Sequence, residues 1–256
     1  MKRFFNRIYS IYGFGVFAFL FIILLPFFLF FILIDDKHPM LFKLNRLWAL
    51  LFFGLIFIPI EVVYEEPIFK KGQYIFCANH FSYLDIPILG YLNFNAAFIG
   101  KSSLAKIPIF GFMFRKIHIA VDRERLRGRS EALKKALDVL GKGTSLIFFP
   151  EGGIVSKNPP AMGRFKDGAF RAAVEKQIPV VPVTIPFNWI ILPDDKQFLL
   201  NWRKAKIIVH KPIKTETTDS KAVEYVKEKT YEVINNELKK YFPEEEFKKV
   251  TEKNES

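Results

Sequence analysis

Residues 11–34 carry no charged side chain and consist mainly of Phe, Leu and Ile. At roughly 1.5 Å per helical residue, a helix over this run reaches across a hydrocarbon core of about 30 Å. Phenylalanine on every face of one helix needs lipid or a second apolar layer as cover. A cleaved signal peptide is the competing explanation. The run is too long for one and ends in Phe31-Ile32-Leu33-Ile34-Asp35-Asp36, without a small-residue cleavage pattern, so it is expected in the mature protein.

A polar connection over residues 35–46 leads to a second apolar stretch, residues 47–63, with Pro59 near its end. Two apolar helices on a short link predict an N-terminal membrane-anchoring helical hairpin over residues 1–64. Lys2, Arg3 and Arg7 favour a cytosolic start, and Lys37, Lys43 and Arg46 in the connection weigh against it. Pro26 and the short second helix suit a shallow hairpin in one leaflet as well as a full crossing. A third arrangement packs the hairpin on its own domain. The expected location is the cytoplasmic membrane, with the remaining chain facing the cytosol.

After Glu65 short apolar runs alternate with amphipathic segments. Strands are predicted near 74–78, 96–99, 117–121, 145–149, 180–185 and 205–210, and one-sided helices over 129–140, 167–176 and 219–241. This alternation gives an α/β domain over residues 65–242, with a mixed sheet flanked by helices, and a charged tail over 243–256. The 256 residues suffice for one such domain and an extra element. The net charge of +12 implies an anionic partner: nucleic acid, an anionic membrane surface or a phosphorylated substrate. The single cysteine, Cys77, excludes an internal disulfide and reads as a buried thiol rather than a nucleophile.

Chemistry-bearing residues fall at predicted strand ends. Tyr74-Ile75-Phe76-Cys77-Ala78 runs into Asn79-His80, with Asp85 five positions after the histidine. An imidazole takes a proton from a hydroxyl near neutral pH, and a carboxylate on its far nitrogen fixes the tautomer. The spacing needs a bend between strand and helix, and a polar turn capping the next helix is the rival explanation. Lys101 follows Gly100, where an ammonium would sit beside an oxyanion or simply be solvated. Arg123, in Asp122-Arg123-Glu124, suits a phosphate or a structural ion pair. Phe149-Pro150-Glu151-Gly152-Gly153 offers glycines that let backbone N–H groups approach a ligand, with a plain turn as the alternative. Lys166 precedes a helix N-terminus.

In order, Asn-His-x4-Asp, Gly-Lys-x2-Leu with Ile-Pro-x2-Gly, Asp-Arg, Phe-Pro-Glu-Gly, Phe-Lys-x-Gly-Ala and Ile-Pro-x2-Pro-Val resemble the glycerolipid acyltransferase family. Within it the chain is similar to the bacterial lysophosphatidic acid acyltransferases from about Gln73 to Ile213. The resemblance implies acyl transfer from a thioester, on acyl carrier protein or as acyl-CoA, to the free hydroxyl of a lysolipid. It implies His80 as general base, Asp85 as its orienting carboxylate and Lys101 near the thioester oxyanion. Arg123, Glu151 and Gly152 would hold the glycerol phosphate. It implies no metal or other cofactor, and the chain shows no convincing metal-ligand cluster of its own. One departure stands out: Gly153 and Ile154 occupy the places where the family usually has Thr-Arg. Arg164 or Lys166 would then take the phosphate, or the acceptor is a phosphate-free lyso-aminolipid.

Two other classes compete. A membrane-anchored, non-catalytic lipid-binding protein would not need His80 and Asp85. A nucleic-acid binder would use Arg123, Arg125, Arg127, Arg129, Lys134 and Lys135, but that run lacks aromatic interleaving.

Overall fold

The computed structural model describes residues 2–35, 39–68, 72–122, 125–195, 197–215 and 220–248. Its sheet comprises β1 (Ile60–Tyr64), β2 (Ile75–Ala78), β3 (Ala96–Lys101), β4 (Ile119–Val121), β5 (Ser145–Phe148), β6 (Val180–Thr184) and β7 (Ala205–Val209). The spatial order is β1-β7-β6-β2-β5-β3-β4. Strands β6, β2, β5, β3 and β4 run parallel, β7 is antiparallel to β6, and β1 is parallel to β7. The sheet is mixed and flanked by helices, as expected.

Alternation along β2 divides the core. Phe76 and Ala78 face one cluster, Ile75 and Cys77 the other, because successive side chains point to opposite faces. The first face is covered by α1 (Lys2–Ile34), α2 (Pro39–Leu55) and α3 (Asp85–Gly90), through Val16, Leu20, Phe52, Phe53, Ile88 and Leu89. The second is covered by α5 (Leu126–Gly141), α6 (Gly168–Lys176) and α8 (Ser220–Lys239). Between these lie α4 (Phe110–Ile117) and α7 (Asn188–Ile191), and α9 (Glu244–Lys248) follows α8.

Beyond the sheet, Leu24, Phe28 and Ile32 of α1 pack with Leu41, Phe42 and Leu44 of α2 and with Met113 and Ile117 of α4. The outer side of α1 stays uncovered, with Ile11, Phe19, Ile22, Phe30 and Leu33 exposed. Among the described residues, Arg3–Ile34 is the one helix long and apolar enough to cross a membrane, and an 18-residue stretch of it has a mean hydropathy of 3.2.

Two expectations need correction. Residues 47–63, expected as one apolar helix, are divided: α2 ends at Leu55 and Ile60–Tyr64 forms β1, paired with β7. Phe57 adopts a φ of 57°, and Pro59 has no N–H to continue a helix and disfavours helical backbone at Ile58. The sheet therefore begins at Ile60 rather than after Glu65. Within the expected tail, residues 244–248 form α9, whose Phe247 packs on the second cluster. Residues 249–256 lie outside the described residues.

Candidate active site

Because β2, β5, β6 and β3 are parallel, the segments leaving their C-terminal ends gather on one rim. Asn79 extends the β2–β6 ladder with its side chain. Its Nδ2 donates to Ile185 O (2.9 Å) and its Oδ1 accepts from Ile185 N (2.8 Å). The next residue, His80, has Nδ1 3.0 Å from Asp85 Oδ2. A tight turn makes the five-residue spacing work. Asp85 N donates to Ser82 O, and Asp85, at the first position of α3, points back into the loop. Ser82 Oγ donates to Leu192 O at 2.7 Å, pinning this turn to the segment after α7.

Asp85 is fully buried and accepts four hydrogen bonds. Its Oδ2 takes those of His80 Nδ1, Phe81 N (2.8 Å) and Ser82 N (2.9 Å), and its Oδ1 takes that of Asn188 Nδ2 (2.9 Å). An ionised carboxylate only accepts, so Nδ1 of His80 carries the proton and Nε2 is the basic nitrogen. Nε2 has no hydrogen-bond partner among the described residues. The ring lies on Phe149 with centroids 3.9 Å apart and planes 16° from parallel. His210 shows what a structural histidine looks like in this fold. It is buried, with Nδ1 on Glu65 Oε1 and Nε2 on Thr184 Oγ1, both at 2.8 Å, so neither nitrogen is free.

Glu151, following β5, is buried beneath the histidine loop. Its Oε1 accepts from His80 N (2.9 Å) and its Oε2 from Gly163 N (2.7 Å). Burial pushes its carboxyl up to about 7, against the opposing pull of the two N–H bonds and with a smaller push from Asp85. Next along the chain, Gly152 has a φ of 88°. A Cβ there would collide with the end of the Lys166 side chain, so the lysine passes directly over this glycine. Gly152→Ala is expected to destabilise the fold by about 1–2 kcal/mol, the cost of left-handed backbone for an L residue. Thermal denaturation checks this, and an unchanged melt contradicts it.

Lys166 is exposed, as is Arg164, and Gly153 continues the turn. Lys101 is the exposed last residue of β3, two strand spacings or about 10 Å along the rim from β2. Arg123 lies outside the described residues.

The Acyltransferase family profile matches residues 59–186, half of the chain. The chain belongs to this family. It is 34% identical over 140 residues to a chloroplastic 1-acyl-sn-glycerol-3-phosphate acyltransferase of Brassica napus, covering 54% of this chain and 40% of that one. It is 28% identical over 160 residues to the lyso-ornithine lipid O-acyltransferase of Pseudomonas aeruginosa, covering 62% and 59%. The chain thus spans less than two thirds of the length of these curated relatives. In fold it matches the crystal structure of a 1-acyl-sn-glycerophosphate acyltransferase from Thermotoga maritima, with a TM-score of 0.78 at 24% identity. That alignment covers 94% of this chain and 98% of the other.

In this acyltransferase-family chain Cys77 is fully buried, and burial pushes its thiol far above the usual range, so it is no nucleophile here. Sequence reasoning missed the residues that hold the histidine loop: Asn79, Ser82 and Asn188. A signal for Asn188 existed. It is a lone polar side chain in Phe187-Asn188-Trp189-Ile190-Ile191-Leu192, directly after a strand whose rim carries the site.

Proposed function

We propose that this protein transfers an acyl group from a thioester, acyl carrier protein or acyl-CoA, to the free hydroxyl of lysophosphatidic acid, giving phosphatidic acid. The observation that carries this reading is the Nε2 of His80, without a hydrogen-bond partner among the described residues, with Nδ1 tied to buried Asp85, in a chain of the acyltransferase family. Nε2 takes the hydroxyl proton as the oxygen attacks the thioester carbonyl and a C–O bond forms. Collapse of the tetrahedral adduct breaks the C–S bond, and the thiolate leaves with the proton from Nε2. Lys101 reaches toward the oxyanion, and Lys166, with Arg164 and Arg123, meets the acceptor's phosphate. Gly152 and Gly153 leave room for that approach. Glu151 serves the site through the loop it holds, since both its oxygens are engaged by backbone N–H groups.

The lipid route is also supported by shape. An apolar cavity of about 100 Å³, lined by Gly13, Phe14, Phe52, Tyr83, Leu84 and Leu192, lies between α1, α2 and the histidine loop. Around it Phe198 meets the rings of Phe14 and Tyr83, and elsewhere Trp202 Nε1 donates to the carbonyl of exposed Phe57. The bare side of α1 continues this surface. We read α1 and α2 as a hairpin that sinks this face into an anionic membrane, with the sheet in the cytosol.

A second reading, a phosphate-free lyso-aminolipid acceptor, is favoured by Gly153-Ile154 standing where the family usually has Thr-Arg. A transfer assay with purified protein, one labelled acyl thioester and either lysophosphatidic acid or lyso-ornithine lipid decides between them. Turnover of the phosphate acceptor is expected. Turnover of only the aminolipid overturns the head-group assignment and keeps the reaction type.

A further inference from the structure

We infer that Asn188 is a positioning residue for this transfer, whose side-chain N–H holds the carboxylate of Asp85 in place behind His80. The inference rests on the reading above and adds a residue on a different strand end to the histidine–aspartate pair. Three observations carry it. The 2.9 Å bond from Asn188 Nδ2 is the one hydrogen bond that Asp85 Oδ1 receives among the described residues, while Oδ2 already accepts three. Without it, half of a fully buried carboxylate lacks a donor, and its charge bears more strongly on the imidazole. The second is that Asn188 Oδ1 is itself buried without a hydrogen-bond partner among the described residues. Such an orphan costs free energy, which the bond from Nδ2 to Asp85 offsets. Turning the amide over would set Oδ1 against the carboxylate, so its orientation is fixed by Asp85. The third is its setting. Two hydrogen bonds of Asn79 to Ile185 and one of Ser82 to Leu192 clamp the segment around Asn188 to the histidine loop on both sides, leaving the amide little freedom.

The test compares Asn188→Ala and Asn188→Asp with the unaltered protein. For Asn188→Ala, kcat is expected to fall about 10- to 100-fold, the kinetic equivalent of one hydrogen bond to a charged group. KM for the lysolipid should stay within about twofold, because the amide touches no substrate. The acidic limb of the kcat profile should move to higher pH, since the bond favours the deprotonated pair. Glu151, the other titratable group coupled to Asp85, is common to the proteins compared. Asn188→Asp keeps the shape but faces Asp85 with a second carboxylate, so it should lose more activity than the alanine variant. A packing role predicts the reverse order.

A lipid-free arm separates this inference from the functional reading. Carbethoxylation of His80 by diethyl pyrocarbonate, followed by peptide mass spectrometry against pH, should show its midpoint raised in Asn188→Ala. A raised midpoint in a protein that transfers no acyl group upholds the positioning role and overturns the reaction. An unmoved midpoint, a rise in KM with kcat intact, or an alanine variant that no longer melts cooperatively each overturns the inference.

Discussion

Replacing His80 with alanine is expected to lower kcat for acyl transfer by about 10²- to 10⁴-fold while shifting the melting temperature by only a few degrees. The size follows from the site's having, among the described residues, one histidine nitrogen placed to act as base, Nε2 of His80. Glu151 is spent on backbone N–H groups, and His210 has both ring nitrogens engaged. The mildness of the structural effect follows from how the loop is held. The backbone N–H of residue 80 keeps its bond to Glu151, and Asp85 keeps its bonds from Phe81, Ser82 and Asn188 when the imidazole is gone. The lost contacts are the stack on Phe149 and one of Asp85's four hydrogen bonds. Steady-state kinetics with a labelled thioester, a thermal melt and vesicle sedimentation together check the prediction. A variant that melts and binds vesicles like the unaltered protein yet keeps more than about a tenth of the activity removes His80 from the role of base.

What the sequence made legible follows from what is local. The strand cores announced themselves as short apolar, β-branched runs, and the observed strands from β2 to β7 fall within the expected ones or differ by a residue or two. β1 did not, because Ile60-Glu61-Val62-Val63-Tyr64 follows directly on an apolar helix, and only pairing with β7, far along the chain, defines it as a strand. The same reason explains the site. His80 and Asp85 are five residues apart, so their pairing was readable from spacing and a bend. Glu151 reaches the loop from β5 and Asn188 from beyond β6, and the order β6-β2-β5 that brings them together is a property of the sheet. The glutamate's motif pointed to a ligand contact, yet its oxygens meet His80 N and Gly163 N. Burial of a carboxylate is decided by the loop that closes over it, at Gly163, and no local pattern around Glu151 reports that.

That burial sets up the second large effect. Glu151→Ala leaves the N–H groups of His80 and Gly163 without an acceptor inside the protein, which is expected to destabilise the fold by about 2–5 kcal/mol and to lower kcat more than tenfold. Glu151→Gln is the more informative variant, because it cannot titrate. In the native protein the carboxyl is raised from 4.5 to about 7, mainly by burial, so between these values the folded state binds more protons than the unfolded state. Stability linked to this group is complete below pH 4.5 and is lost as pH rises through about 7, a change of about 3 kcal/mol. The stability of the native protein minus that of Glu151→Gln should therefore decrease by this amount between pH 4.5 and 8, with titrations common to both proteins cancelling. Chemical denaturation at several pH values measures it. A difference that grows with pH would mean that the two N–H bonds outweigh burial and hold the carboxyl low. With the expected sign, the ionised glutamate near neutral pH stabilises the fold less than the protonated one does in acid. The compensating gain is a single acceptor group that ties the histidine loop to the Gly163 loop, which a neutral amide cannot do, since its nitrogen would face one of the two N–H groups.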